Sequence, residues 1–426
     1  MAEHRDMIDD LIDIQSDWRA VSNPLGNIAG TLAANPEDVK VFDPSEYKGR
    51  PRANSLFCVR VAARDEAACS RCLDVCPVSA IAIEGSSVKV DDSCRKCGLC
   101  TSVCPTEVFL VQKIMAKALY DKVARVASAY EQCYVTCTRA MGCLHRLPKD
   151  NEIVLPCVGA MSAELWFSLL TEYDNLSVYL PVGICDKCRT TTGEECYVNQ
   201  IGQAEEWSGR SVGLEVDEAA LNHEQTRAYK RSQFMGSMAN AGKSLVAASN
   251  PALAGAAAVA NKIKRHSNQI YEMQRSLERT VGEKTQANRR RILTQNRKAT
   301  LTALQAHPRL ARRLDLKVPA CDASLCTMCG DCLKACPQHA CDLDAQGRFS
   351  VEPAYCVNCG ACAVACEEGA LTMVSCDPAA LVVVDEEAER KKRAAARQRA
   401  KIAEAKERGK KQLNKVLDGL ERLADE

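Results

Sequence analysis

The sequence predicts an α+β chain assembled from small units: two short cysteine-rich modules, a small central α/β unit and a helical basic spacer. Three observations lead there. Most of the 26 cysteines of this 426-residue chain fall in two separated runs. Each run encloses two short strand-like segments with a turn between them. Between the runs the pattern becomes strand–helix–strand, then a long stretch rich in Ala, Gln, Arg and Lys with few β-branched or aromatic residues. The expected boundaries are 1–54, helical or irregular; 55–115, first module; 116–207, central unit; 208–317, basic helical segment; 318–377, second module; and 378–426, charged helical tail.

In the first module Cys94-x2-Cys97-x2-Cys100-x3-Cys104-Pro105 follows Cys69-x2-Cys72-x3-Cys76-Pro77. In the second, Cys326-x2-Cys329-x2-Cys332-x3-Cys336-Pro337 precedes Cys356-x2-Cys359-x2-Cys362-x3-Cys366. A structural zinc site needs paired CxxC units without the fourth cysteine and proline. The spacing here is the one by which thiolates hold cubane [4Fe–4S] clusters. Residues Phe57–Lys113 and Pro319–Val374, about a quarter of the chain, resemble the bacterial-type two-cluster ferredoxins.

That resemblance implies two ferredoxin-like modules and about four [4Fe–4S] clusters, each held by three cysteines of one motif and the fourth of its companion. In the second module the sets are Cys326, Cys329, Cys332 with Cys366, and Cys356, Cys359, Cys362 with Cys336. In the first, one set is Cys94, Cys97, Cys100 with Cys76. The other has Cys69, Cys72 and Cys104, but Glu66 stands where its first cysteine belongs. Either Cys58 folds in from a short strand over Leu56–Val59 and Val61, or the cluster is three-iron or carboxylate-ligated. Hairpins are expected from Ile81–Ile83 to Val88–Val90, turning at Glu84–Ser86, and around Gln346–Gly347. Glu367 replaces the proline after Cys366; an acid close to a cluster disfavours its more negative reduced state. Cys321, Cys341 and Cys376 read as small buried residues.

In the middle, Cys133–Cys137, Ile153–Gly159 and Leu176–Cys185 read as buried strands, and Met161–Tyr173 as a helix with Leu165 and Leu169 on one face. Ligands of such units gather at the carboxyl ends of parallel strands. The run from LPCVG through this helix and strand to Cys185-x2-Cys188 resembles the iron–sulfur delta subunit of methyl-viologen-reducing hydrogenases. The resemblance implies a [2Fe–2S] or other cluster, or a docking domain for a redox partner, with Cys133, Cys137, Cys157, Cys185 and Cys188 as candidate ligands, of which four suffice. Cys185-Asp186-Lys187-Cys188 also has the form of a redox dithiol, and structural thiols are the third alternative. Cys143 and Cys196 read as structural.

Net charge is +1, yet residues 225–317 carry 19 Lys/Arg against 4 Asp/Glu. Such a segment is a solvated spacer or a surface for an acidic partner, with Arg289–Arg291 its densest point; no nucleic-acid reader motif accompanies it. The Gly236–Ser244 stretch imitates a phosphate loop, but has five residues between its glycines and no preceding strand, so no ATP is expected. LVVVD, ending at Asp385, imitates the acidic strand of such proteins. The acidic start MAEHRDMIDD is unlike a secretory leader and no transmembrane span is evident; with so many cysteines, a reducing cytoplasm is expected. The sequence thus points to an iron–sulfur electron carrier, a relay subunit of a larger oxidoreductase rather than a stand-alone catalyst, meeting redox protein partners. The alternatives are a disulfide or sulfur-compound reductase using the central cysteines, and a redox sensor that binds a partner.

Overall fold

The computed structural model describes residues 47, 49–111, 113–226, 251–344, 346–383, 390 and 398. Expectations for the N-terminal segment before residue 47, the phosphate-loop imitation at 236–244 and most of the charged tail lie outside these residues. LVVVD does so in part: Leu381 closes a 3-10 turn, Pro378–Leu381.

The first module opens with β1 (Arg52–Ala53). The strand expected around Cys58 is instead a 3-10 turn, Ser55–Phe57, followed by α1 (Val59–Ala63). The cause is local. Asn54 caps the turn by accepting the Leu56 N–H at 3.2 Å, and Arg64 closes α1 in the left-handed region at φ 55°. Then come α2 (Arg71–Asp74), the expected hairpin of β2 (Ile81–Glu84) and β3 (Ser87–Val90), α3 (Leu99–Val103) and β4 (Phe109–Leu110), which pairs back on β1. Ile81, Val88, Val108 and Phe109 form a small core around Cys58 and Cys72.

In the central unit α4 (Ala116–Ala129) buries Leu119, Val123 and Ala127 along one stripe. It is followed by β5 (Cys133–Cys137), α5 (Thr138–Leu144), β6 (Glu152–Leu155), α6 (Ala163–Glu172), β7 (Leu176–Tyr179), α7 (Gly193–Ser208) and β8 (Gly213–Glu215). The four strands are parallel in the order β6-β5-β7-β8. The unit departs from a simple strand–helix–strand pattern in two ways. The strands leading to Cys157 and Cys185 are not neighbours, because β5 lies between them. The unit also runs beyond 207: β8 extends the sheet, and Asn151 ties down the following loop through the Asn222 carbonyl at 2.8 Å. Trp166, Phe167, Tyr134 and Tyr179 are fully buried in the largest core of the molecule. At the start of β6 the wholly buried Glu152 receives a two-pronged pair from Arg146 at 2.7 Å on both oxygens.

The basic segment forms α8 (Pro251–Val281) and α9 (Gln295–Ala306). Where described, it is a bracket rather than a solvated spacer. α9 packs on α6 and α4, while Met273, Leu277 and Leu301 enter the core of the second module. Arg289 donates to the Leu333 carbonyl, and Arg291, with its side chain 8% exposed, pairs with Asp342 at 3.2 Å. All three consecutive arginines therefore have partners within the chain, Arg290 pairing with Glu283 at 3.1 Å on the exposed side.

The second module comprises β9 (Lys317–Cys321), α10 (Asp331–Lys334), a hairpin of β10 (Cys341–Leu343) and β11 (Phe349–Val351), α11 (Ala361–Val364) and β12 (Leu371–Ser375), which pairs with β9. α11 packs against α1, bringing the two modules into contact. Among the described residues no helix is long and apolar enough to cross a membrane.

Candidate metal centres

The cysteine loops are shaped by a repeated backbone device. Before the second cysteine of three motifs stands a left-handed residue, Lys96, Met328 or Asn358, with φ of 57°, 58° and 54°. The third residue after each crossing cysteine is also left-handed: Ser79, Glu107, His339 and Gly369. This curl aims amides at sulfur. Ala80 N–H reaches Cys76 Sγ at 3.2 Å, Lys96 reaches Cys94 at 3.4 Å, Val108 reaches Cys104 at 3.4 Å, and Ala340 reaches Cys336 at 3.2 Å. Successive inward amides make a nest for an anion, as a thiolate-ligated cluster requires. The Cys69–Cys72 loop has no left-handed residue, and it belongs to the motif that departs from the pattern.

Cys58, Cys69, Cys72 and Cys104 line one cavity. Burial first, then Cys104, Cys69 and Cys58, push the Cys72 thiol up to about 12. Glu66 points away: its side chain is 92% exposed and pairs with Arg60 at 3.2 Å. Cys76, Cys94, Cys97 and Cys100 form the adjoining group. Burial raises Cys97, with Cys94 and Cys76 adding; Cys100 is raised by burial, then by Cys97, Cys94, Cys72 and Cys76. Cys72 belongs to the first group, so the two are neighbours.

In the second module Cys336, Cys356, Cys359 and Cys362 line an inner cavity, joined by a fifth thiol, Cys341. Cys341 stands beside Cys336 and Cys362, and its thiol is the chief cause that lowers Cys336 to about 6. Cys326, Cys329, Cys332 and Cys366 line an outer cavity, joined by Cys321; Cys329 is exposed. Cys341 is buried, in keeping with its reading as a small buried residue, and Cys321 is half-buried. Cys341 lies five residues after Cys336, as Ile81 lies five after Cys76 and Phe109 five after Cys104, and these positions face their cavities or small cores.

Central Cys137, Cys157, Cys185 and Cys188 come together beyond the carboxyl ends of β5, β6 and β7, where the strand order switches direction. Burial pushes Cys157 up to about 12, with Cys137, Cys97 and Cys188 adding; Cys185 is pushed up to about 11 by burial, then Glu194, Cys137 and Cys188. Cys133 is corrected out of this group. It starts β5 while Cys137 ends it, about 13 Å away at some 3.3 Å per strand residue, and burial alone raises it. Cys143 is exposed, and Cys196 is buried beside Ser102.

The first module is fixed to this centre. Ser102 Oγ donates to the Gly159 carbonyl at 2.6 Å. Gly98 has φ 83° and its absent Cβ would meet Ala160 Cβ at 2.8 Å; a Cβ on Gly159 would meet Leu99 at 2.6 Å. Positive φ and close approach both require glycine at 98, and the approach places Cys97 within electrostatic reach of Cys157. Among the described residues no three His, Cys, Asp or Glu side chains converge on a single metal ion.

Over 48 residues the chain is 42% identical to an uncharacterized ferredoxin of Methanocaldococcus jannaschii, covering 11% of this chain and 77% of that protein. The chain belongs to the ferredoxin family. A ferredoxin of Methanothermococcus thermolithotrophicus is 36% identical over 47 residues, covering 11% of this chain and 78% of that protein. No protein-family model and no solved structure matches. These relatives mark an iron–sulfur electron-transfer protein, with clusters of the [4Fe–4S] type usual in ferredoxins. They cover a ferredoxin-sized portion of the chain.

Proposed function

We propose that this ferredoxin-family chain is a relay subunit of a cytoplasmic oxidoreductase, passing single electrons between the outer face of its second module and the central cysteine site. Bound clusters would supply reversible one-electron capacity. Cys58, Cys69, Cys72 and Cys104 would hold one; Cys76, Cys94, Cys97 and Cys100 the next; Cys336, Cys356, Cys359 and Cys362 the inner one of the second module; and Cys326, Cys329, Cys332 and Cys366 the outer one. Cys137, Cys157, Cys185 and Cys188 would hold a further cluster of [2Fe–2S] or other type.

The observation that carries this reading is contiguity. Cys157 senses Cys97, Cys100 senses Cys72, α1 beside Cys58 packs on α11 with Cys362, and Cys332 senses Cys362. The thiol groups thus form an unbroken sequence across the molecule. The protein shelters most of them, leaving Cys329 exposed, and aims amides at several of their sulfurs.

Anaerobic purification with iron and sulfide counting tests it. About sixteen irons are expected from four cubanes, with more from the central site, and EPR on stepwise reduction should show magnetically interacting centres. Eight irons or fewer would overturn it. Cys336→Ser should harm the inner centre, although Cys336 belongs to the motif of the outer one, and leave the outer signal in place.

The CxxC form of Cys185 and Cys188, both partly exposed, favours a second reading as a reductase dithiol. The two separate by alkylation. A cluster protects all four central cysteines until chelation removes iron. A dithiol leaves iron unchanged and makes Cys185 and Cys188 reactive after reduction.

A further inference from the structure

Arg297 comes from α9, far in sequence from any cysteine motif, and is 6% exposed. Its Nη2 donates to the Pro353 carbonyl at 2.8 Å and its Nε to the Ala354 carbonyl at 3.2 Å. These carbonyls belong to the turn that delivers Cys356, the first thiol of the inner quartet. The guanidinium charge acts on Cys356 and on the buried Cys376, while Glu164 of α6 is its carboxylate neighbour. A guanidinium keeps its proton in a protein interior, so a permanent cation stands against this quartet behind a wall of packed side chains. The outer cavity is lined instead by Asp331, Glu367 and Glu368.

We infer that Arg297 is a positioning and tuning residue for the inner centre of the second module, holding its turn and making its reduced, more negative state easier to reach. The inference rests on the cluster reading of that quartet. Reduction adds one negative charge near a desolvated cation, and such attraction is much stronger in the interior than in water. α9 also packs on α6, so the central unit contributes to setting the potential of a centre in another module. No motif within the second module encodes this control.

The test is a redox titration of the full-length chain, purified anaerobically and followed by EPR, in Arg297→Lys, Arg297→Met and Arg297→Met with Glu164→Gln. The last removes the carboxylate that the first loss would strand. Both methionine variants should keep the wild-type iron count and show one centre shifted to more negative potential, while the lysine variant stays near wild type. An unchanged potential at full iron content would overturn the inference. So would equal shifts of every centre, or iron loss in all three variants, which would make Arg297 purely structural. A wild-type chain short of iron would instead bring down the cluster reading itself.

Discussion

Cys58→Ser is expected to lower the iron content by between about one and about four atoms per chain and to convert or abolish a single EPR signal, leaving the others in place. Cys58 is 7% exposed, caps α1 at its N-terminus and lines the same cavity as Cys69, Cys72 and Cys104. Glu66 is turned to solvent and paired with Arg60, so Glu66→Gln should leave iron content and spectra as they are. The opposite outcome, loss with Glu66→Gln and none with Cys58→Ser, would restore the carboxylate-ligated alternative. The pair of variants thus decides the identity of the fourth ligand.

Arg146→Ala should be among the most destabilising single changes in the central unit. Glu152 is completely buried, and Arg146 reaches it with two hydrogen bonds while also pairing with Glu218 at 2.5 Å. Removing one partner of a buried pair leaves an uncompensated charge, at a cost of about 3–5 kcal/mol. Arg146→Lys keeps a charge but loses the fork, and should fall between wild type and alanine. A chain of several units does not unfold in one step, so hydrogen exchange of the amides in β5, β6 and β7 is the suitable measurement. Unchanged protection there in Arg146→Ala would show that the pair contributes little net stability.

The hairpins and the central helix could be read in advance because their signals are local. Apolar alternation around Gly85 and around Gln346–Gly347 specifies turns, and the Leu165/Leu169 stripe specifies a helix face. The motif spacing itself keeps three thiols close in sequence in the sets led by Cys94, Cys326 and Cys356, and two, Cys69 and Cys72, in the remaining one of the two modules. What escaped was either too short to show a period or decided by distant segments. An Asn54 cap turned the apolar run near Cys58 into helix, which periodicity over so few residues does not distinguish from strand. β5 took the middle of the sheet, leaving β6 and β7 apart, and strand order is decided by packing rather than by strand composition. The basic stretch looked solvated because charge was counted without partners; Asp342 and the carbonyls of Leu333, Pro353 and Ala354 are those partners.

Gly98 and Gly159 let the first module lie close against the central unit, Gly98 against Ala160 and Gly159 against Leu99. A free-swimming ferredoxin must find each acceptor by diffusion, and its traffic falls as the solution is diluted. Here the neighbour is supplied by the same polypeptide. Under the proposed relay, exchange across that contact would proceed at a fixed effective concentration, with a first-order rate indifferent to dilution. Concentration matters again at the surfaces where outside partners must arrive.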